Sequence, residues 1–282
     1  MKLPDINPSQ ENQKIIEFIN STFKKTNKTK AVIAVSGGID SATSLALVTK
    51  ALSPKNILPI HLPSKTTNPK NTQDALNSIK SLNISESNLT TINISSIIQK
   101  SWRVIKHSSQ NPPHHKKGES NKKEKNTPII TTNKLRLANL TARIRMMLIY
   151  DHAKKNSALV VGTENFSEHL LGYFTRFGDE ASDLEPIAHL YKTQVYDLAK
   201  HLQIPQEIID KKPSADLWLR QTDEDELGFS YTDADPILYL HTQGKSIKEI
   251  IKTGFNKSLV EKVINRVNTY SFKHQVPYKI EE

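Results

Sequence analysis

Residues 31–42 read Ala-Val-Ile-Ala-Val-Ser-Gly-Gly-Ile-Asp-Ser-Ala, a short apolar strand that runs into two glycines and then directly into a helical pattern. No other stretch limits the possible folds so strongly, because it fixes a strand, a tight turn and a helix start in immediate succession. Gly37 and Gly38 let the backbone turn sharply and approach an anion. Ser36, Asp40 and Ser41 add oxygens and free amides where a helix N-terminus projects positive potential. Asp40 would repel a bare phosphate, so its presence suits a divalent cation, Mg2+, held between carboxylate and phosphate oxygens. The plain alternative is a serine-capped turn between strand and helix. The pattern is neither Gly-x4-Gly-Lys-Ser/Thr, since no lysine follows the glycines, nor Gly-x-Gly-x-x-Gly.

The flanking sequence repeats the theme. Ile15, Ile16, Ile19 and Phe23 recur at helical spacing after Ser9, which predicts a first amphipathic helix. Then come a strand at 31–35, a helix at 41–52, a strand at 57–62, a helix at 71–82, a strand at 89–94 and a short helix ending near 105. A strong helix at 135–150 leads to a buried strand at 158–161. Apolar strands alternating with helices predict an α/β fold, a doubly wound, mostly parallel sheet flanked by helices. Ligands in such sheets sit beyond the carboxyl ends of the strands, where Ser36–Ser41 and Gly162-Thr163 both fall. From Thr193 onward the pattern is helical, near 194–202, 205–210, 235–241, 246–252 and 257–272. With no repeat and no clear linker, residues 1–282 read as a single domain.

Bulk composition narrows the chemistry. The chain of 282 residues has no cysteine, which excludes disulfides, thiolate metal sites, cysteine nucleophiles and persulfide chemistry. No apolar run is long enough to span a bilayer and the N-terminus lacks a signal-peptide core, so a cytoplasmic location is expected. Lys plus Arg number 39 against 29 Asp plus Glu, a net charge of +10 that suits anionic ligands. Part of that excess sits in residues 107–126, with five lysines, three histidines, two glutamates and no apolar residue. This stretch reads as a polar, disordered surface loop, and without an aromatic residue it offers bases no stacking platform.

Five more segments carry candidate chemistry. On the 135–150 helix, Asn139 and Arg143 share a face one turn apart, where an amide and a forked guanidinium could grip an anion, with Arg145 and Tyr150 nearby. Thr163 could hydrogen-bond a nucleotide, and Glu168 could be a second metal carboxylate beside Asp40. The same Gly162–Glu168 residues would also make an ordinary capped helix start. Gly172–Asp183 compresses aromatics, glycines and acids without periodicity, which points to a functional loop. Lys192 opens the next helix, a position that opposes the dipole and suits an anionic partner. Residues 213–228 read as a polar loop leading to an acidic helix start.

Taken together, the glycine turn, Asn139-Leu-Thr-Ala-Arg-Ile-Arg-Met, Gly162-Thr-Glu-Asn-Phe-Ser-Glu, Gly172-Tyr-Phe-Thr-Arg-Phe-Gly-Asp, Tyr191-Lys-Thr-Gln-Val-Tyr and the 213–228 segment resemble the ammonia-dependent NAD synthetases. The turn alone resembles the pyrophosphatase loop of the wider N-type ATP pyrophosphatase superfamily. The resemblance spans roughly residues 10–278. It implies an adenine nucleotide alpha hydrolase-like fold and ATP-dependent amidation of deamido-NAD by ammonia, giving NAD, AMP and pyrophosphate through an acyl adenylate. By the same resemblance Ser36, Gly37, Gly38, Asp40, Ser41, Thr163, Lys192 and Ser214 bind ATP, and Asp40 and Glu168 bind Mg2+. Arg143, Arg176, Asp183 and Lys273, with Asn139 and Tyr150, face deamido-NAD, and the enzyme is a homodimer. Asp40 and Lys192 would be catalytic, and Asp179 is the expected acceptor of a proton from ammonium. The chain departs from the commoner pattern at Arg176, Glu180, Ser214 and Phe272.

Two other classes fit parts of the sequence. The positive charge would suit a superfamily member acting on tRNA, although nucleic acid is not the expected partner, and sulfur-inserting relatives are disfavoured by the missing cysteines. A nucleotide-binding module without catalysis is the third reading, opposed by the joint presence of Asp40, Glu168 and Lys192. Lack of a cysteine and of room for an amidase domain makes free ammonia the expected nitrogen donor.

Overall fold

The computed structural model describes residues 2–108, 132–218, 221–275 and 277–280. Of the polar stretch 107–126, residues 109–126 lie outside the described residues. Helix α1 (Pro8–Thr26) is capped by Asn7, whose side chain accepts from the N–H groups of Ser9 and Gln10, and it buries Ile15, Ile19 and Phe23. Strand β1 (Ala31–Ala34) feeds α2 (Ile39–Leu52), β2 (Ile57–His61) feeds α3 (Pro69–Ser81), and β3 (Thr90–Thr91) precedes α4 (Ser95–Ser108). The long α5 (Thr132–Asn156) enters β4 (Leu159–Val161). β3 is shorter than the expected 89–94 because it is an edge strand with one neighbour. Ile92 and Ile94 still donate to the carbonyls of His61 and Pro63 at 3.0 and 2.9 Å.

The sheet is parallel throughout, in the order β3-β2-β1-β4. Ala31–Ala34 pair with Ile57–Ile60 on one side, and Ala31–Ile33 with Leu159–Val161 on the other. Ala31, Ile33 and Leu45 pack with α1 residues in one core, while Val32, Ile60, Ile149 and Val160 make a second core on the opposite face. Helices thus cover both faces, the doubly wound arrangement expected. The strand order reverses between β1 and β4, so the loops leaving their carboxyl ends flank the same crevice.

The helical part begins with α6 (Phe166–Leu170) and α7 (Lys192–His201), followed by α8 (Gln206–Ile209), α9 (Asp223–Leu227), α10 (Tyr231–Thr242), α11 (Ile247–Lys252) and α12 (Lys257–Tyr270). α6 and α9 are single short turns, visible in sequence only as capping patterns. Leu171 and Tyr191, near the ends of α6 and α7, bury among Ile237, Leu238, Val263 and Ile264. Val195 and Leu198 of α7 belong to the core under β1. Helix α7 therefore bridges the sheet and the C-terminal helices. Among the described residues no helix is long and apolar enough to cross a membrane.

Candidate active site

The glycine turn closes on itself through its serines. Ser36 and Ser41 Oγ lie 3.0 Å apart, Ser41 Oγ donates to the Gly38 carbonyl at 3.0 Å, and the Gly38 N–H reaches Ser36 Oγ at 3.2 Å. Gly38 begins α2 without a side-chain cap, which leaves the helix N-terminus open to an anion. Gly37 has φ +78°, and a Cβ there would come within 2.2 Å of the Asn71 carbonyl oxygen. Both the backbone conformation and the approach of α3 demand glycine at this position.

Lys192 lies at the centre of the site. Its residue is 1% exposed, and Nζ donates to Asp40 Oδ2 at 2.5 Å and to Glu168 Oε1 at 3.0 Å. The expected metal pair is thus brought together, 128 positions apart in sequence, on one cation. Burial alone would weaken the lysine's hold on its proton, but Asp40 and Glu168 outweigh it and raise its pKa well above the usual value. Burial, offset by Lys192 but reinforced by Asp40 and Asp223, pushes Glu168 up. Asp223, 3% exposed, accepts from Tyr231 OH at 3.1 Å through one oxygen, while its Oδ1 has no partner. Three carboxyl groups face one ammonium. Among the described residues no group of three or more His, Cys, Asp or Glu side chains is arranged to hold a metal ion by itself, so a cation shared by Asp40 and Glu168 would have to take its other ligands from phosphate oxygens or water.

The local sequence explains the placement of these groups. Asn165 caps α6 in a capping box with Glu168, and its Nδ2 donates to Asp40 Oδ1 at 3.0 Å. Asp235 of α10, fully buried, accepts from Ser167 Oγ at 2.6 Å and from the Thr193 N–H and hydroxyl at 2.8 Å each. Ser167 Oγ in turn accepts from the Lys192 N–H at 2.9 Å. One carboxylate from the C-terminal layer therefore fixes the starts of both α6 and α7. Burial raises the Asp235 pKa against the pull of those hydrogen bonds.

These elements wall a cleft of about 750 Å³. Of the residues expected at ATP, Ser36, Gly38, Asp40, Ser41, Thr163, Lys192 and Ser214 line it. Gly37 does not, because it faces α3. The residues expected at the dinucleotide divide into two groups. Asn139 and Lys273 line the cleft, Asn139 accepting from Thr175 Oγ1 at 3.0 Å and Lys273 donating to the Gly172 and Phe174 carbonyls at 2.7 and 2.6 Å. Arg143, Tyr150, Arg176 and Asp183 stand outside it. Arg143 donates to the Arg176 carbonyl at 3.2 Å, Tyr150 is 37% exposed, and Asp183 Oδ2 accepts from the Val160 N–H at 2.7 Å. The Arg176 guanidinium lies over the rings of Phe177 and Phe272, 5.3 and 5.8 Å from their centroids.

Asp179 opens onto the cleft and accepts from the Thr175 N–H at 3.0 Å. Desolvation raises its pKa despite that hydrogen bond. Behind it, burial pushes Glu164 and Glu185 up to about 8, each with one oxygen lacking a hydrogen-bond partner. Sequence reasoning missed Asn165, Asp223 and Asp235, and placed Arg145 beside Arg143 without choosing it. Arg145 lines the cleft whereas Arg143 does not. Asn165 was detectable as the cap of an Asn-x-x-Glu box; the others had no local signature.

Known proteins resemble this chain over nearly its whole length. The family model described as NAD synthase matches residues 11–277. The NH(3)-dependent NAD(+) synthetase of Fusobacterium nucleatum is 39% identical over 274 residues, covering 97% of this chain and 96% of that protein. That of Wolinella succinogenes is 37% identical, covering 96% and 95%. Among solved structures, an NMN synthetase from Francisella tularensis superposes with a TM-score of 0.80 at 30% identity, covering 99% of this chain and 100% of that one. The NH3-dependent NAD synthetase from Campylobacter jejuni gives 0.73 at 30% identity, covering 98% and 100%. With its glycine turn, paired acids and bridging lysine around one cleft, and a family match over nearly its whole length, the chain belongs to the NAD synthase family.

Proposed function

We propose that the cleft carries out the family's ligase reaction, the ATP-dependent amidation of deamido-NAD with ammonia that completes NAD synthesis, with the residue roles that follow. The Asp40–Lys192–Glu168 centre beside an open helix N-terminus is the observation that carries this assignment. The nicotinate carboxylate is a poor acylating agent, and attack on the α-phosphorus of ATP converts it to an acyl adenylate that ammonia can open. The Ser36–Ser41 turn receives the departing pyrophosphate through the Gly38 N–H and the hydroxyls of Ser36 and Ser41. Lys192 contributes positive charge to the phosphates in a water-poor site, where a fixed cation acts strongly. Asp40 and Glu168 would hold Mg2+, which supplies neutralisation of phosphate charge when bound.

Thr163 and Ser214 contact the nucleotide, and Asn139 and Lys273 orient the nicotinate end. Arg143, Arg176, Tyr150 and Asp183 form the rim on which the rest of the dinucleotide lies, completed by a second subunit in a homodimer. Asp179, raised above the usual carboxylate range by desolvation, accepts the proton that ammonium must lose. We read residues 1–282 as one unit working in the cytoplasm. The decisive experiment incubates the protein with ATP, Mg2+, deamido-NAD and ammonium and follows NAD and AMP. Formation of both in equal amounts supports the reading, and AMP release without NAD overturns it.

The TM-score of 0.80 with an NMN synthetase favours one second reading, amidation of nicotinate mononucleotide by the same chemistry. Comparing kcat/KM for the mono- and dinucleotide acids in that assay separates the two.

A further inference from the structure

Lys211 follows α8 and has no place in the roles described so far, yet its ammonium meets three acceptors. Nζ donates to the Gly37 carbonyl, to Asn71 Oδ1 at 2.9 Å and to Asp74 Oδ2 at 2.7 Å. Asp74 is 1% exposed and also takes Lys70 at 3.2 Å. Burial would raise the Asp74 pKa, but the two lysines overcome it and hold the carboxylate ionised. The lysine therefore ties three parts of the chain together: the phosphate turn, helix α3 and the segment leading to Ser214.

The contact with Gly37 matters through peptide geometry. A trans peptide places its C=O and its N–H on opposite sides, so a carbonyl drawn toward Lys211 and α3 sends the Gly38 N–H the other way. That N–H indeed faces the turn interior, where Ser36 Oγ takes it at 3.2 Å, and Gly38 lines the cleft while Gly37 does not. Between two glycines no side chain resists rotation of this peptide. The hold on its oxygen must come from elsewhere, and Lys211 provides it.

We propose that Lys211 is a positioning residue that locks the Gly37–Gly38 peptide so that the Gly38 N–H points at the pyrophosphate group of the nucleotide. The proposal rests on the cleft being the ATP site. Asp74 anchors the lysine from behind, so that its charge stays on the carbonyl instead of swinging onto the phosphate.

The test measures binding of inorganic pyrophosphate by calorimetry, with unfolding temperatures and KM for each substrate alongside. Lys211→Met is expected to weaken pyrophosphate binding about tenfold, the scale of one lost charge-assisted hydrogen bond, and to raise KM for ATP while KM for ammonium is unchanged. Asp74→Asn, which keeps the shape of the buried side chain, is expected to weaken binding in the same direction, and the double variant to be no worse than the more severe single one. Lys211→Arg is expected to restore most of the affinity. Unchanged pyrophosphate affinity in Lys211→Met overturns the proposal. So does tighter binding in Asp74→Asn, which would mean that a released Lys211 grips the phosphate itself. If Lys211→Met does not fold, the Asp74→Asn and Lys211→Arg arms decide. Pyrophosphate binding that follows this pattern in a protein that makes no NAD would overturn the functional reading and leave the role of Lys211 standing.

Discussion

The side-chain amide of Asn165 holds Oδ1 of Asp40 at 3.0 Å, 125 positions away in sequence, leaving Oδ2 to Lys192. Each oxygen of the acid is thereby assigned, one to an orienting amide and one to a cation. Asn165→Ala removes both this contact and the α6 cap, so a loss of about 1 kcal/mol in urea unfolding is expected from the cap alone. Asn165→Asp keeps the cap but sets a carboxylate against Asp40. Near-parental stability of the cap combined with a collapse of AMP formation in that variant would separate the two roles; parental activity in both variants would show that the amide orients nothing.

Replacing Lys192 by methionine leaves Asp40 and Glu168 without their shared counter-ion. Breaking a buried pair from one side costs about 3–5 kcal/mol, and here two acids lose their partner together. Because the vacated carboxylates can be neutralised by an added cation, Mg2+ is expected to raise the unfolding temperature of Lys192→Met more than that of the parent. A smaller Mg2+ shift in the variant would count against Asp40 and Glu168 as the metal pair.

Glu164 gives stability a definite pH dependence. Its side chain is 9% exposed, and burial keeps its proton bound up to about pH 8, whereas the unfolded chain releases it near 4.5. Between those values the folded state holds more protons, so stability falls as pH rises and the loss is complete above about 8. Glu164→Gln should flatten that decline when unfolding temperature is followed from pH 5 to 9. Parallel curves for parent and variant would mean that Glu164 is ionised in the fold.

Two arginines two positions apart should behave differently. Arg145 borders the cleft, where desolvation lowers its pKa against the attraction of Asp216 and Asp179. Arg143 lies outside, donating to the Arg176 carbonyl. Arg145→Met is expected to lower kcat/KM for ATP, and Arg143→Met to raise KM for deamido-NAD with KM for ATP little changed. Identical kinetic defects would remove the distinction between cleft and rim.

The α/β layering was legible because β1, β2, β4 and the helices between them announce themselves by local periodicity and by glycine at the turns. The glycine turn was legible for the same reason, since Ser36 to Ser41 is one contiguous stretch at the end of β1. Asp235 and Lys211 were not, because each works through contacts with distant segments, and neither was Asp223, whose place near Lys192 depends on the fold. Asp235 sits mid-helix, where an acid usually means a solvated face, and only the fold reveals that it is buried against Ser167 and Thr193. Arg143 and Arg145 show the limit of a helix-face reading: the face was readable, but which of two neighbouring arginines lines the cleft depends on how α5 rolls against β1 and β4.

The anchoring of α6 and α7 by Asp235 has a consequence for the order in which the protein is made. A ribosome completes the glycine turn early, but Asp235 follows Thr193 by 42 positions, so this carboxylate cannot order the start of α7 until it too has emerged. A growing chain thus carries the Ser36–Ser41 turn long before it has the carboxylate that orders Lys192 beside Asp40 and Glu168.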